Sequence, residues 1–202
     1  MQYSLNTEIR EKIYRIIFVI SILLCSVILL LFNLLLKDAI ITNFLIMFFN
    51  LFIVPSVGFF YSAFKWLFNN HLWKTNLFTK ITKVPNFSGK WIIKGNSNFA
   101  KGTEFMGSLY IKQTFDKITI KSVFEQSESF NTQTFLEIRD ADITLSYYYQ
   151  NIPKQRESDK LHIHHGFMTL TYSAGNFSGE YFNDGFRGTR GSWILEKEIA
   201  IS

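Results

Sequence analysis

Tyr147-Tyr148-Tyr149-Gln150-Asn151-Ile152-Pro153 sets three consecutive aromatic rings at the end of an extended stretch and closes it with an asparagine and a proline. Further along, the segment from Gly179 to Gly191 places Arg187 and Arg190 among glycines just before the last extended run. Aromatic faces stack on nucleobases, and the planar arginine fork matches phosphate oxygens bidentately, each charge-assisted hydrogen bond contributing roughly 1.5–3 kcal/mol. Together the two stretches offer what a small nucleotide needs. The plainer alternative is that the tyrosines pack a sheet and the arginines sit in a solvated turn.

Other chemistry is poorly supported. His162, His164 and His165 cluster in sequence, but three histidines from one edge of a strand rarely converge on one ion, and no Cys, Asp or Glu at ligand spacing completes a tetrahedron. They read instead as hydrogen-bonding groups, with His165 the candidate. There is no Gly-x-Ser-x-Gly, no P-loop and no recognisable carboxylate pair, so binding without a cofactor is expected rather than catalysis. The single cysteine, Cys25, lies inside an apolar run, and no intrachain disulfide can form.

The elements that would position these residues begin with two apolar runs, 16–36 and 44–64, each of 21 residues. As helices they are about 31 Å long, against a hydrocarbon core of ~30 Å. Lys37 and Asp38 lie between them; one continuous helix would hold both at a bilayer centre at a cost of ~2.5–3.5 kcal/mol each. A two-helix transmembrane hairpin avoids this. Arg10, Lys12 and Arg15 precede the first run and Lys65, Lys74, Lys80 and Lys83 follow the second, against Lys37 alone in the connection. The positive-inside bias then places both termini in the cytoplasm. Trp66, His71, Trp73 and Phe78 among those lysines read as an aromatic belt at the headgroup layer.

Val84-Pro85-Asn86-Phe87-Ser88-Gly89 ends the helical pattern, giving two expected parts, 1–84 and 85–202. Residues 1–84 carry 8 Lys+Arg and 3 Asp+Glu, whereas residues 85–202 carry 13 of each. The second part is therefore neutral, which argues against a DNA or RNA polymer as partner and leaves a small anion held by local groups. Its period is two. Strands are expected at 90–95, 105–115, 117–125, 132–139, 143–150, 165–172, 176–182 and 191–197. Leu109, Ile111, Gln113 and Phe115, then Ile118, Ile120, Ser122 and Phe124, alternate with polar neighbours. Eight short strands without intervening helix predict an eight-stranded antiparallel β-barrel, which leaves no open sheet edge, with a sandwich as the competitor. The fold class is a membrane-anchored all-β protein.

The order of these parts, with Val84 to Trp91, Tyr147 to Pro153, His165-Gly166, and Gly179-Glu180-Tyr181 leading to Arg187, Arg190 and Gly191, resembles the two-transmembrane, β-barrel effectors of bacterial cyclic-oligonucleotide-based antiphage signalling (CBASS), which associate with CD-NTase nucleotidyltransferases. The resemblance implies a bacterial inner-membrane protein whose cytosolic barrel receives a cyclic dinucleotide made by a partner nucleotidyltransferase. It further implies self-association into oligomers, disruption of the lipid bilayer by the hairpin, and cell death. Under it Tyr149 stacks on a base, Arg187 and Arg190 hold phosphates, and Ser122, Asn151 and His165 hydrogen-bond the ligand. A barrel holding an apolar ligand such as a fatty acid, and a scaffold for protein partners, are the alternatives.

Overall fold

The computed structural model describes residues 7–35, 56–98, 103–139, 142–154, 162–184 and 188–198. The chain divides into two compact units, Thr7–Thr75 and a second that takes in Asn76–Ser202. The barrel's unit takes in a short helix and a linker ahead of Pro85.

In the first unit, α1 spans Thr7–Leu35 and contains a stretch, Ile9–Leu31, long and apolar enough to cross a membrane. Both serine hydroxyls of that stretch are paired within the helix: Ser21 Oγ donates to the Ile17 carbonyl at 2.8 Å and Ser26 Oγ to the Ile22 carbonyl at 2.9 Å, the pairing that a hydrocarbon setting would require. The second expected span, 44–64, lies mainly outside the described residues; its last part belongs to a second helix, α2, described over 56–70. Lys65 Nζ sits 4.5 Å from the Tyr14 ring centroid, and Phe18 meets Tyr61 edge-on at 5.9 Å. Those contacts pair rising numbers with falling ones, so α1 and the described part of α2 run antiparallel. Among the described residues α1 is the one helix that meets the length and composition for a span.

The second unit opens with α3, Asn76–Thr82, and a linker. Eight strands follow: β1 Gly89–Ser97, β2 Thr103–Gln113, β3 Ile118–Val123, β4 Ser127–Arg139, β5 Asp142–Pro153, β6 His164–Ser173, β7 Asn176–Asn183 and β8 Arg190–Lys197. Each pairs antiparallel with the next and β8 returns to β1, closing the barrel. Closure excludes the sandwich. Alternate residues point inward, and Ile93, Leu109, Ile118, Leu145, Leu170 and Leu195 are fully buried, the period-two pattern expressed as a core. Where β3–β4 pairing stops, at Phe130, the Asn131 carboxamide stands in for backbone, accepting the Ile120 N–H at 2.8 Å and donating to the Ile118 carbonyl at 3.2 Å.

One end of the barrel is plugged. Phe87 from the linker packs against Phe177 at 4.8 Å and Tyr172 at 5.0 Å, with Trp91 against Phe177 at 4.9 Å. Gln113, the polar exception on the inner face of β2, accepts the Phe87 N–H at 2.8 Å and donates to the Pro85 carbonyl at 3.0 Å. Trp91 Nε1 donates to the Phe87 carbonyl at 2.9 Å. The linker is thus part of the core, and the hollow lies at the other end.

Candidate functional site

The opposite end, where the β1–β2, β3–β4, β5–β6 and β7–β8 connections lie, opens into a cavity of about 560 Å³. Pockets for small ligands commonly run from 300 to 1,000 Å³. One wall is aromatic. Phe105 and Phe124 meet edge-on at 5.7 Å, and Trp193 joins Phe124 at 5.7 Å and Tyr181 at 5.8 Å.

The other wall is polar. Asn151 Nδ2 donates to Ser129 Oγ at 2.8 Å and Ser127 Oγ at 3.1 Å. Tyr149 Oη donates to Asn183 Oδ1 at 2.8 Å, and the Asn183 amide donates to Thr189 Oγ1, tying β5, β7 and the start of β8 together. His164 Nδ1 lies 3.1 Å from the His162 carbonyl; a carbonyl can only accept, so that nitrogen carries the proton. The described lining includes Glu104 and Glu125 but no lysine or arginine.

Glycines make room for the rings. A Cβ at Gly166 would lie 2.4 Å from the Tyr149 ring, and one at Gly95, Gly107 or Gly191 would strike Phe105, Phe124 or Tyr181 respectively. Each pairs a bare backbone position with an aromatic ring laid across it. The rings of the cavity are thereby set by register, Tyr149 opposite Gly166 and Tyr181 opposite Gly191.

Of the residues expected from the sequence, Tyr149 and Asn151 line this cavity. Ser122 also points inward but lies beneath it, 1% exposed and opposite Ser129 in register. His165 does not reach the cavity. Strand parity turns it outward, with its side chain 62% exposed and its N–H donated to Asp184 Oδ2, while its neighbour His164 faces in. Arg190 is displaced in the same way. Trp193 and Leu195 face the core, so Arg190 is outward, bordering a groove with Asn96, Asn98, Glu180 and Ser192 that also takes in Ser97 and Tyr181 of the cavity lining. Arg187 lies outside the described residues. Asn183, Thr189 and the Phe105–Phe124–Trp193 wall were not anticipated. Among the described residues no group of three or more His, Cys, Asp or Glu could hold a metal ion.

A closed barrel, plugged at one end and open at the other into a cavity with one aromatic and one hydrogen-bonding wall, defines a receptor for a small ligand. Residues 82–197 match the family described as Cap15, cyclic dinucleotide receptor domain. The match covers more than half of the chain, and the chain belongs to that family. It is also 29% identical over 148 residues to CD-NTase-associated protein 15 of Yersinia aleksiciae, an alignment covering 72% of this chain and 70% of that protein. A receptor family implies a binding role rather than catalysis.

Proposed function

We propose that the chain is a CBASS effector whose barrel takes a cyclic dinucleotide, made by a partner nucleotidyltransferase, into its open end. Binding drives self-association at the bacterial inner membrane, and the clustered N-terminal helices disrupt the bilayer and kill the cell. Both termini and the barrel face the cytoplasm in this reading. The observation that carries it is the cavity of a chain in the cyclic dinucleotide receptor family: bases need aromatic faces, and the Phe105, Phe124, Tyr149, Tyr181 and Trp193 rings supply them. The hydroxyls and amides of Ser127, Ser129, Asn151 and Thr189 supply neutral hydrogen bonds for sugar and phosphate oxygens.

The test is calorimetric titration of the full chain in detergent with a panel of cyclic dinucleotides and with a long-chain fatty acid. Saturable binding of a cyclic dinucleotide, weakened at least about ten-fold by Asn151→Ala, is expected; the ten-fold loss corresponds to ~1.4 kcal/mol. Binding of the fatty acid alone would overturn the reading. For the membrane step, replacing residues 1–75 by an unrelated two-span anchor should preserve ligand binding and abolish toxicity in cells that make the ligand. Retained toxicity would reduce the helices to a tether.

A further inference from the structure

Two polar atoms inside the barrel have no hydrogen-bond partner among the described residues: Tyr147 Oη and Trp193 Nε1, both shut off from solvent. Burial pushes the Tyr147 phenol pKa up and the nearby Ser122 hydroxyl opposes that push in part, yet the two make no hydrogen bond by geometry. Phenylalanine at 147 would fill the same space without burying an unpaired hydroxyl, an arrangement that folding alone disfavours. Trp193 differs from an apolar ring at its position in the same sense.

Both orphans belong to the cavity end. Trp193 forms part of the cavity's aromatic wall. Tyr147 is one inward step below Tyr149 on β5, with ring centroids 6.2 Å apart, and its register row runs through Met168 to Tyr181, another wall residue. A polar track leads down to it from the rim: Ser127 and Asn151, then Ser129, then Ser122 opposite Ser129. The track ends at the Tyr147 hydroxyl, which makes no hydrogen bond among the described residues.

We propose that Tyr147 and Trp193 together read the polar edge of one base of the ligand. That base enters the lumen edge-first along the polar track with its face toward the aromatic wall. An acceptor atom on its edge takes the Trp193 N–H, and a second polar atom meets Tyr147 Oη. The other nucleotide stays at the rim, between Tyr149, Asn183 and Thr189. The barrel therefore discriminates strongly at one base and weakly at the other. This rests on the receptor reading above and adds to it which residues choose the base.

The experiment is titration of the full chain and its Tyr147→Phe variant, in detergent, with cyclic di-AMP, di-GMP, di-UMP and di-CMP and their mixed-base counterparts, alongside thermal unfolding without ligand. Tyr147→Phe should unfold at a higher temperature, bind the tightest member of the panel about ten-fold more weakly, and bind the weakest nearly as before, so that selectivity is compressed. A hydroxyl with a merely structural role would not change the ratio between bases. Trp193→Phe should compress the same ratio, and Tyr148→Phe, on the outer face, should leave it alone. If wild type binds but both lumen variants keep its affinities and order, the base-reading assignment is overturned and the receptor reading stands. If wild type binds none of the panel, both fall.

Discussion

Replacing Gln113 by alanine tests whether the linker is a working part of the barrel. Gln113 is 4% exposed and Phe87, whose N–H it accepts, 1%. The substitution removes two neutral hydrogen bonds, worth roughly 0.5–1.5 kcal/mol each, and leaves the Phe87 N–H buried without an acceptor, at a penalty of roughly 1–3 kcal/mol. These terms overlap, since the orphaned donor belongs to one of the lost bonds, and a total of about 2–4 kcal/mol follows. For a unit of this size, at roughly 4 °C per kcal/mol, the barrel's melting temperature should fall by about 8–16 °C. Gln113→Met, which keeps the volume, should show about half of that. Hydrogen exchange gives the local readout: the Phe87 amide should be strongly protected in wild type and exchange much faster in both variants, ahead of global unfolding. A Phe87 amide that exchanges as slowly in Gln113→Ala as in wild type would refute the clamp, whatever the melting temperature did.

Three further outcomes follow from the same geometry. Gly166→Ala puts a Cβ 2.4 Å from the Tyr149 ring and 2.7 Å from the Phe182 carbonyl oxygen, so it should cost about 1–3 kcal/mol by overpacking and weaken cyclic dinucleotide binding by displacing Tyr149. Unchanged unfolding in urea would contradict the close packing. Burial raises the Tyr147 phenol above its ordinary pKa of 10.0, so above pH 10 the unfolded chain loses this proton while the folded one keeps it. Its contribution to stability is whole below pH 10 and falls above it by up to ~1.4 kcal/mol per pH unit; urea melts from pH 9 to 11.5 should show the slope, reduced in Tyr147→Phe. Arg190→Ala removes an outward-facing side chain and should leave cyclic dinucleotide affinity within about three-fold, whereas a loss of ten-fold or more, ~1.4 kcal/mol, would bring that guanidinium to the ligand.

Strand alternation made the barrel legible, because inward residues such as Leu109, Ile111, Ile118 and Ile120 recur at period two, and all eight expected strands appear with ends shifted by a few residues. The same parity held information about the site that the motifs obscured. Met168 and Leu170 face inward, which fixes His164 inside and His165 outside; Trp193 and Leu195 do the same for Arg190. Gln113 was visible as the one polar residue in an inner apolar row, and only the structure shows it holding the linker. Asn183 and Thr189 carried no signal at all, because their link to Tyr149 depends on register across three strands. One candidate span was legible from apolar length, and among the described residues α1 alone meets the length and composition for one; most of the second expected run and the Lys37-Asp38 break lie outside the described residues.

The distribution of packing decides how a ligand at the open end can act. Between the cavity and the linker clamp lies a continuous fully buried layer that includes Ile93, Leu109, Leu145, Leu170 and Leu195. Interiors packed to that degree do not deform continuously and transmit change only by switching between discrete arrangements. These side chains are branched aliphatics held by five strands of a closed barrel, and repacking all of them together is costly. A ligand at 100 times its Kd adds about 2.7 kcal/mol to whichever state binds it, no more than the clamp itself is worth, and it would have to drive that whole layer to move the linker. The message should therefore leave by the rim and outer wall, where copies of the barrel can meet, rather than through the lumen. Hydrogen exchange of the full chain with a saturating cyclic dinucleotide should then slow amides around Tyr149, Asn151 and Asn183 while Phe87 keeps its wild-type rate. A change at Phe87 on ligand addition would show that the core does switch, and would return the signal to the interior.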